Sequence, residues 1–393
     1  MQDKLHRYFV DLHIHLGSTN TGKPVKITAS KNLTLENVII EARDRKGMNM
    51  IGVIDCHVPE VLLQLRRWQK EGNLIEGEEG GLHFQELTLI LGSELEIYDE
   101  NCSGPIHVLI YIPTIEGMWQ FSNWLSERLK NITLSSQRVY ENAQVIQEKV
   151  KELKGLFIPA HIFTPFKSMF GRGVRKEITE VFNPELIDGV ELGLSSNTEM
   201  ASSISQLNGY TFLTNSDAHS LQKIGREYQV MQMASPSFEE LRKILHNMDG
   251  RKVLTNYGLN PYLGKYYKTA CEKCFSHKEN GVIQCANCGH ERFVKGVSSR
   301  IDELSDQPTK LENRPPYIHQ VPLDFIPGVG PRTLLKLRET FHTEMNVLHY
   351  TTKDQLSEVV GEKIANLIDG ARKGTLQYHA GGAGKFGKVS PDK

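Results

Sequence analysis

Short apolar runs closed by polar clusters recur along the first 250 residues, and longer amphipathic stretches fall between them. Tyr8-Phe9-Val10 leads into Asp11-Leu12-His13-Ile14-His15, which reads as a first strand and its C-terminal tip. Residues 50–54, 87–91, 108–112, 156–158, 189–192 and 211–214 repeat the pattern, each rich in Val, Ile, Leu or Phe with polar residues at one end. Helices are predicted over 34–45, 61–70 and much of 119–154. Ser237-x-x-Glu240 is a capping box opening another that reaches residue 246. Strands that alternate with helices, with polar residues gathered at one end, predict an α/β barrel and its active-site face.

Strand side chains alternate faces, so Asp11, His13 and His15 share one side. Asp55 and His57 stand the same way past the second run, and Asp217 and His219 past the last. Glu94 follows the third run, His107 opens the fourth and His161 closes the fifth. A single strand-end histidine is more often a hydrogen-bonded structural group than a ligand. Imidazoles and carboxylates in this number, from separate strands at one end, point instead to a polynuclear metal site. Clustered divalent cations activate water and clamp phosphoryl oxygens, so no serine or cysteine nucleophile is required.

The ordered set Asp11-x-His13-x-His15, Asp55-x-His57, Glu94, His107, His161 and Asp217-x-His219 resembles the polymerase-and-histidinol-phosphatase (PHP) family, over residues 5–250. That resemblance implies a distorted (βα)7 barrel holding two or three divalent metals, Zn²⁺, Mg²⁺ or Mn²⁺, for phosphoester hydrolysis. It also implies that His13, His15, His57, Glu94, His107, His161, Asp217 and His219 are metal ligands, with Asp217 bridging. Cys56 intervenes where the family has an adjacent Asp-His pair, so Asp55 stands either on a metal or behind one. Asp217, His13 and His15 are the residues expected to carry catalysis. Asp11 and Glu191 are read as partners that orient imidazoles, and Glu96 as a surface carboxylate.

Beyond residue 250 the character changes. Cys271-x2-Cys274 and Cys285-x2-Cys288 are two knuckles with the spacing of a tetrahedral structural Zn²⁺, in a small zinc ribbon over 251–297. A redox motif would need only one such pair, and His277 and His290 are spare. A polar linker at 298–320 leads to Pro327-Gly328-Val329-Gly330 and a helix at 333–341. This segment, 321–376, resembles the helix-hairpin-helix of repair nucleases and ligases, with a weaker second copy at 360–365. The resemblance implies that Gly328 and Gly330 let backbone N–H groups reach a DNA phosphate. A helix turn with a glycine cap is the plain alternative. Residues 377–393 read as a disordered, mildly basic tail.

The formal net charge of −1 over 393 residues excludes a globally basic nucleic-acid binder and makes any basic surface local. With no apolar run of membrane-spanning length and no signal-peptide pattern, a cytoplasmic, nucleoid-associated monomer with no membrane partner is expected. Cys56 and Cys102 read as inert thiols. A small-molecule phosphatase would need neither appendage. The order of parts is similar to a family of repair endonucleases that nick DNA on the 5′ side of deaminated bases (uracil, hypoxanthine, xanthine) and abasic sites. That similarity implies damaged DNA, double- or single-stranded, as substrate, with base flipping; a sliding clamp stays open as a further partner. Ser195, Ser196 and Asn215, at strand ends beside Asp217, are expected to form the base pocket. The aromatic-bearing loop 164–170 either wedges the gap left by a flipped nucleotide or packs the barrel rim. Two rival readings remain: a barrel phosphatase or exonuclease acting on undamaged ends, and a DNA-binding scaffold with a structural barrel.

Overall fold

Seven short strands carry the site. They are β1 (His6–Ile14), β2 (Met50–Val53), β3 (Leu87–Ile97), β4 (Ile106–Ile112), β5 (Leu156–Pro159), β6 (Gly189–Glu191) and β7 (Thr211–Leu213). The computed structural model describes residues 4–264, 266–278, 281–376, 378–379 and 388–389. β1, β2 and β3 pair in parallel, β4 runs antiparallel to both β3 and β5, and β6 and β7 are parallel. Single backbone bonds carry the round onward where the ladders stop. Asp188 N–H donates to Phe157 O (3.0 Å) and Ile162 N–H to Glu191 O (2.9 Å), joining β5 to β6. Past β7, Ala218 exchanges bonds with β1: His15 N–H to Ala218 O and Ala218 N–H to His13 O, both 3.1 Å. Seven strands thus form a closed but irregular ring.

The reversed β4 is the useful irregularity. His107 is the second residue of β4, so running that strand backwards brings its start to the end where the other strands finish.

Apolar residues from β1, β2, β3, β4, β5 and β7 meet in one buried cluster that includes Val10, Leu12, Ile90, Tyr111, Ile158 and Leu213. Helices α1 (Leu35–Ile40, continued as a π-helical turn over Glu41–Lys46), α2 (Pro59–Lys70), α3 (Ile115–Ser126) and α4 (Ala143–Glu152) contribute to a second, larger core. α5 (Phe238–Leu245) adds Phe238, Leu241, Ile244 and Leu245 to the first cluster.

Past residue 250 the chain still adds strands to the main sheet. The sheet continues from β1 through β8 (Tyr228–Met233), β9 (Lys252–Gly258) and β10 (Tyr317–His319). The segment expected to be a polar linker is therefore bound to the barrel. It contains α6 (Val297–Leu304), whose Arg300 donates to Phe170 O at 2.8 Å, and Asp306, which accepts from Ser205 N–H at 2.8 Å. Arg314 lies 3.7 Å over the Phe212 ring, and β10 pairs in parallel with β9. Arg300, Asp306 and Arg314 of this segment thus spend polar groups on the barrel, while others such as Lys310 and Glu312 stay exposed.

Between β9 and α6, Ala270–Cys271 pairs antiparallel with Phe293–Val294 and frames the four cysteines. The C-terminal helices are α7 (Pro331–Phe341), α8 (Glu344–His349), α9 (Lys353–Val360) and α10 (Glu362–Arg372). They dock on the barrel through a buried Lys46–Glu344 pair (2.9 Å), a Tyr228 Oη–His349 Nε2 bond (2.6 Å) and Phe9–His349 ring packing. Within 377–393, residues 378–379 pair antiparallel with 388–389, and the rest of the expected disordered tail lies outside the described residues. Among the described residues, no helix is long and apolar enough to cross a membrane.

Candidate metal centre

The strand tips bring three sets of ligand atoms together: His13, His15 and Glu94; His15, Asp217 and His219; and Glu94, His107 and His161. Shared members make them one centre. Asp217 Oδ1 lies 3.4 Å from His13 Nε2, 3.6 Å from His15 Nε2 and 3.4 Å from His219 Nδ1. Glu94 reaches across it, with Oε1 2.9 Å from His107 Nδ1 and 3.5 Å from His161 Nε2, and Oε2 3.5 Å from His15 Nε2.

The fit to cations is visible in what these groups lack. His13 Nε2, His15 Nε2, His107 Nε2 and His161 Nδ1 are buried with no hydrogen-bond partner. Leaving such atoms unpaired costs about 1–3 kcal/mol each, so the donor set suits divalent metals. Backbone strain agrees: His161 (φ 31°) and Asp217 (φ 46°) both sit in the left-handed region, as residues at functional sites often do. Gly193 (φ 78°) is required beside them, because a Cβ there would come 2.8 Å from the His161 Cβ.

Carboxylates behind the imidazoles fix the rings. Glu191 Oε1 stands 2.9 Å from His13 Nδ1, and Asp55 Oδ2 stands 3.2 Å from His15 Nδ1 while also accepting the Leu16 N–H. Among the described residues, Asp55 and His57 stand outside the three groups; His57 Nδ1 faces the Ser93 hydroxyl at 2.8 Å. Asp11 differs from expectation. Its carboxylate accepts backbone N–H groups of Ser216 (3.1 Å) and Gly225 (2.9 Å) and so ties the Asp217 loop to β1 rather than orienting an imidazole.

Burial lowers the His13 pKa, but Glu191, Asp217 and Glu94 outweigh it and lift it to about 10. Burial, helped by Lys26, depresses His15 to about 4. Burial also opposes ionisation of Glu94 and Asp217, yet the surrounding cationic and imidazole groups hold both below the usual carboxylate range. The carboxylates favour positive charge at this spot, as a cation site requires.

Glu96 is not a surface carboxylate. The His107 and Lys167 contacts (Lys167 Nζ at 2.8 Å) hold its pKa down to about 2 at the edge of the centre. Lys26 was not foreseen: it lies in a polar loop that carries no periodicity, yet its Nζ meets Glu94 Oε2 at 3.0 Å.

A cavity of about 280 Å³ opens on His161, Asp217 and His219 and is lined by Ser195, Ser196, Asn215, Lys223, Arg226 and Tyr266, among others. The three expected pocket residues reach it unequally. Ser196 Oγ is committed to Leu192 O (2.8 Å). Asn215, expected to read a base, is 1 % exposed; its Oδ1 accepts from Leu12 N–H and Gln229 Nε2 (both 2.9 Å) and its Nδ2 donates to Glu191 Oε1 (2.8 Å). Its side chain holds the partner of His13. A second cavity, about 440 Å³, also opens on His161, Asp217 and His219 and is lined by Lys26, Ser136, Phe166 and Lys167.

Away from the barrel, the four cysteine sulfurs lie within 4.8 Å of one another, and His277 and His290 stay outside that group. Gly328 and Gly330 are exposed on either side of the buried Val329.

This fold and this centre define a metal-dependent phosphoesterase. Residues 196–248 match the family described as "PHP-associated". The uncharacterized protein YqxK of Bacillus subtilis (strain 168) is 56% identical over 385 residues, spanning 98% of this chain and 100% of that protein. MJ0043 of Methanocaldococcus jannaschii is 37% identical over 254 residues, 58% of this chain and 31% of that one. The chain belongs to the YqxK family, within the endonuclease Q group of the PHP superfamily. The crystal structure of the lesion-specific endonuclease PfuEndoQ from Pyrococcus furiosus superposes with a TM-score of 0.83 at 29% identity, over 98% of this chain and 95% of that one. An endonuclease Q complex with a 27-mer duplex carrying an abasic lesion at the active site gives 0.82 at 29% identity, over 98% and 96%.

Proposed function

We propose that the protein is a DNA-repair endonuclease that hydrolyses the phosphodiester on the 5′ side of a deaminated base or abasic site, extruding the damaged nucleotide to do so. The observation that carries this reading is the cavity of about 280 Å³ opening on three of the centre's own groups. A phosphate at Asp217 and His161 then has room for a nucleoside beside it. The likeness to an endonuclease Q bound to abasic-lesion DNA supports the choice of substrate.

His13, His15, Glu94, His107, His161, Asp217 and His219 would hold two or three divalent cations, Zn²⁺, Mg²⁺ or Mn²⁺. When bound, such cations lower the pKa of coordinated water and neutralise charge building on phosphoryl oxygens. The chain's own part is orientation. Glu191 and Asp55 accept from the Nδ1 of His13 and His15, which aims both Nε2 atoms at the centre. The pocket admits the extruded nucleotide, whose flipping costs least at a mispaired or missing base. The four cysteines would hold a structural Zn²⁺. Their Sγ–Sγ contacts of 3.6 and 3.4 Å are close to the roughly 3.8 Å that tetrahedral Zn–S bonds impose. Gly328 and Gly330, ahead of α7, would present backbone N–H groups to a DNA phosphate in a helix-hairpin-helix, giving affinity without sequence preference.

The test uses end-labelled duplexes with one central uracil, hypoxanthine or normal base, with Mg²⁺ or Mn²⁺. A single nick 5′ to the lesion, leaving a 3′-hydroxyl and a 5′-phosphate on the damaged nucleotide, is expected. Asp217→Asn should lower cleavage by several orders of magnitude and leave lesion-DNA binding largely intact. Release of free base, or equal cutting of the undamaged duplex, would overturn the reading.

A further inference from the structure

The two cavities share His161, Asp217 and His219, so a strand whose phosphate rests there has room for a neighbouring nucleotide in each. Tyr266 lines the first cavity and Phe166 the second, and the two rings meet edge to face with centroids 5.6 Å apart. They stand where the two cavities adjoin.

The loop around Phe166 divides its aromatics by task. Phe163 and Phe170 stack at 5.7 Å and are 1% and 0% exposed, so they pack the barrel rim. Phe166 is 40% exposed, with the Arg172 guanidinium 5.5 Å over its ring. A large apolar ring held in the open at a catalytic mouth is not explained by packing.

Its mount is firm. Lys167 O accepts the His107 N–H at 2.8 Å, and Ser168 Oγ accepts the Gly171 N–H at 3.0 Å. Tyr266 is fixed by its carbonyl, which accepts the Val297 N–H at 2.9 Å at the root of the cysteine-bearing hairpin. The ring pair is thus anchored to the barrel on one side and to the appendage on the other.

We infer that Phe166, backed by Tyr266, is the wedge that enters the base stack when the damaged nucleotide leaves it. The inference rests on the endonuclease reading above and assigns the two cavities: the extruded nucleotide beside Tyr266, its 5′ neighbour beside Phe166. An apolar ring inserted at a base step replaces the lost stacking and keeps the base from returning. A wedge matters only where a stack must be opened, so its loss should spare substrates that are already unstacked.

The experiment compares wild type with Phe166→Ala, Phe166→Leu and Tyr266→Ala on one lesion placed in a duplex and in an unstructured single strand. Separately, 2-aminopurine beside the lesion reports unstacking on binding, with cleavage prevented by combining each Phe166 or Tyr266 variant, and the wild-type pair, with Asp217→Asn. Phe166→Ala should slow duplex cleavage about tenfold to a hundredfold, the scale of one aromatic–base stack. Single-strand cleavage should stay within about twofold, and the fluorescence rise should shrink. Phe166→Leu should recover part of both. Equal losses on duplex and single strand, or an unchanged fluorescence rise, would overturn the wedge. If the wild type cut neither lesion substrate, the endonuclease reading would fall, while the fluorescence measurement would still decide whether this ring pair opens a stack.

Discussion

Asn215 shows how a side chain's task depends on which of its atoms are already engaged. From sequence it sat beside Asp217 and suited a base pocket; in the fold its amide links Gln229 to Glu191, and Glu191 to His13. Asn215→Ala should therefore weaken metal binding about tenfold to a hundredfold, the usual effect of losing a group behind a ligand. Lesion preference at saturating metal should be unchanged; titration of metal-free protein and the uracil-to-normal cleavage ratio check this. Glu96 was legible after all: two residues from Glu94 on one strand, it had to share that face. Lys26 was not, because loops carry no period from which to read direction.

A second residue-scale expectation concerns Glu227. Burial pushes its carboxyl up to about 8, against the Leu259 N–H that it accepts at 2.7 Å. A raised acid keeps a proton in the fold that the open chain has lost, so its stability is fully present below the ordinary value of 4.5 and is lost as pH rises through 8. Denaturation midpoints should accordingly fall between those limits, and Glu227→Gln should flatten the fall.

Among elements, the seven ring strands were readable because each is a run of apolar residues with polar ones at one end. The same period put the imidazoles at one face. β8, β9 and β10 were not readable. Tyr228–Met233 mixes glutamines with apolar residues, and Tyr317–His319 is too short for any pattern. What identifies β10 is its partner β9, sixty residues earlier in the chain, and a pairing that distant leaves no local trace. The cysteine hairpin is the opposite case, since its spacing alone announces the cluster. Cys271→Ser should lower bound metal by one equivalent and raise amide exchange around the hairpin while the ring strands stay protected. Metal analysis with hydrogen exchange would show both. Exchange that rose throughout the barrel would mean that the hairpin is part of the main fold.

For the whole molecule, the docked C-terminal helices change what a truncation can mean. Removing everything after Pro316 would delete β10 and the Lys46–Glu344 contact along with Gly328 and Gly330. A loss of DNA binding in such a chain could then reflect a damaged barrel as much as a missing grip. The parallel pairing of β10 with β9 has a further consequence, for proteolysis. A single peptide-bond cut between them does not separate two bodies, because the later fragment still forms an edge strand of the earlier one and holds it through a buried ion pair. Limited digestion near residue 310 should yield two bands under denaturing electrophoresis but one particle of unchanged size on gel filtration, with the two pieces parting only in denaturant.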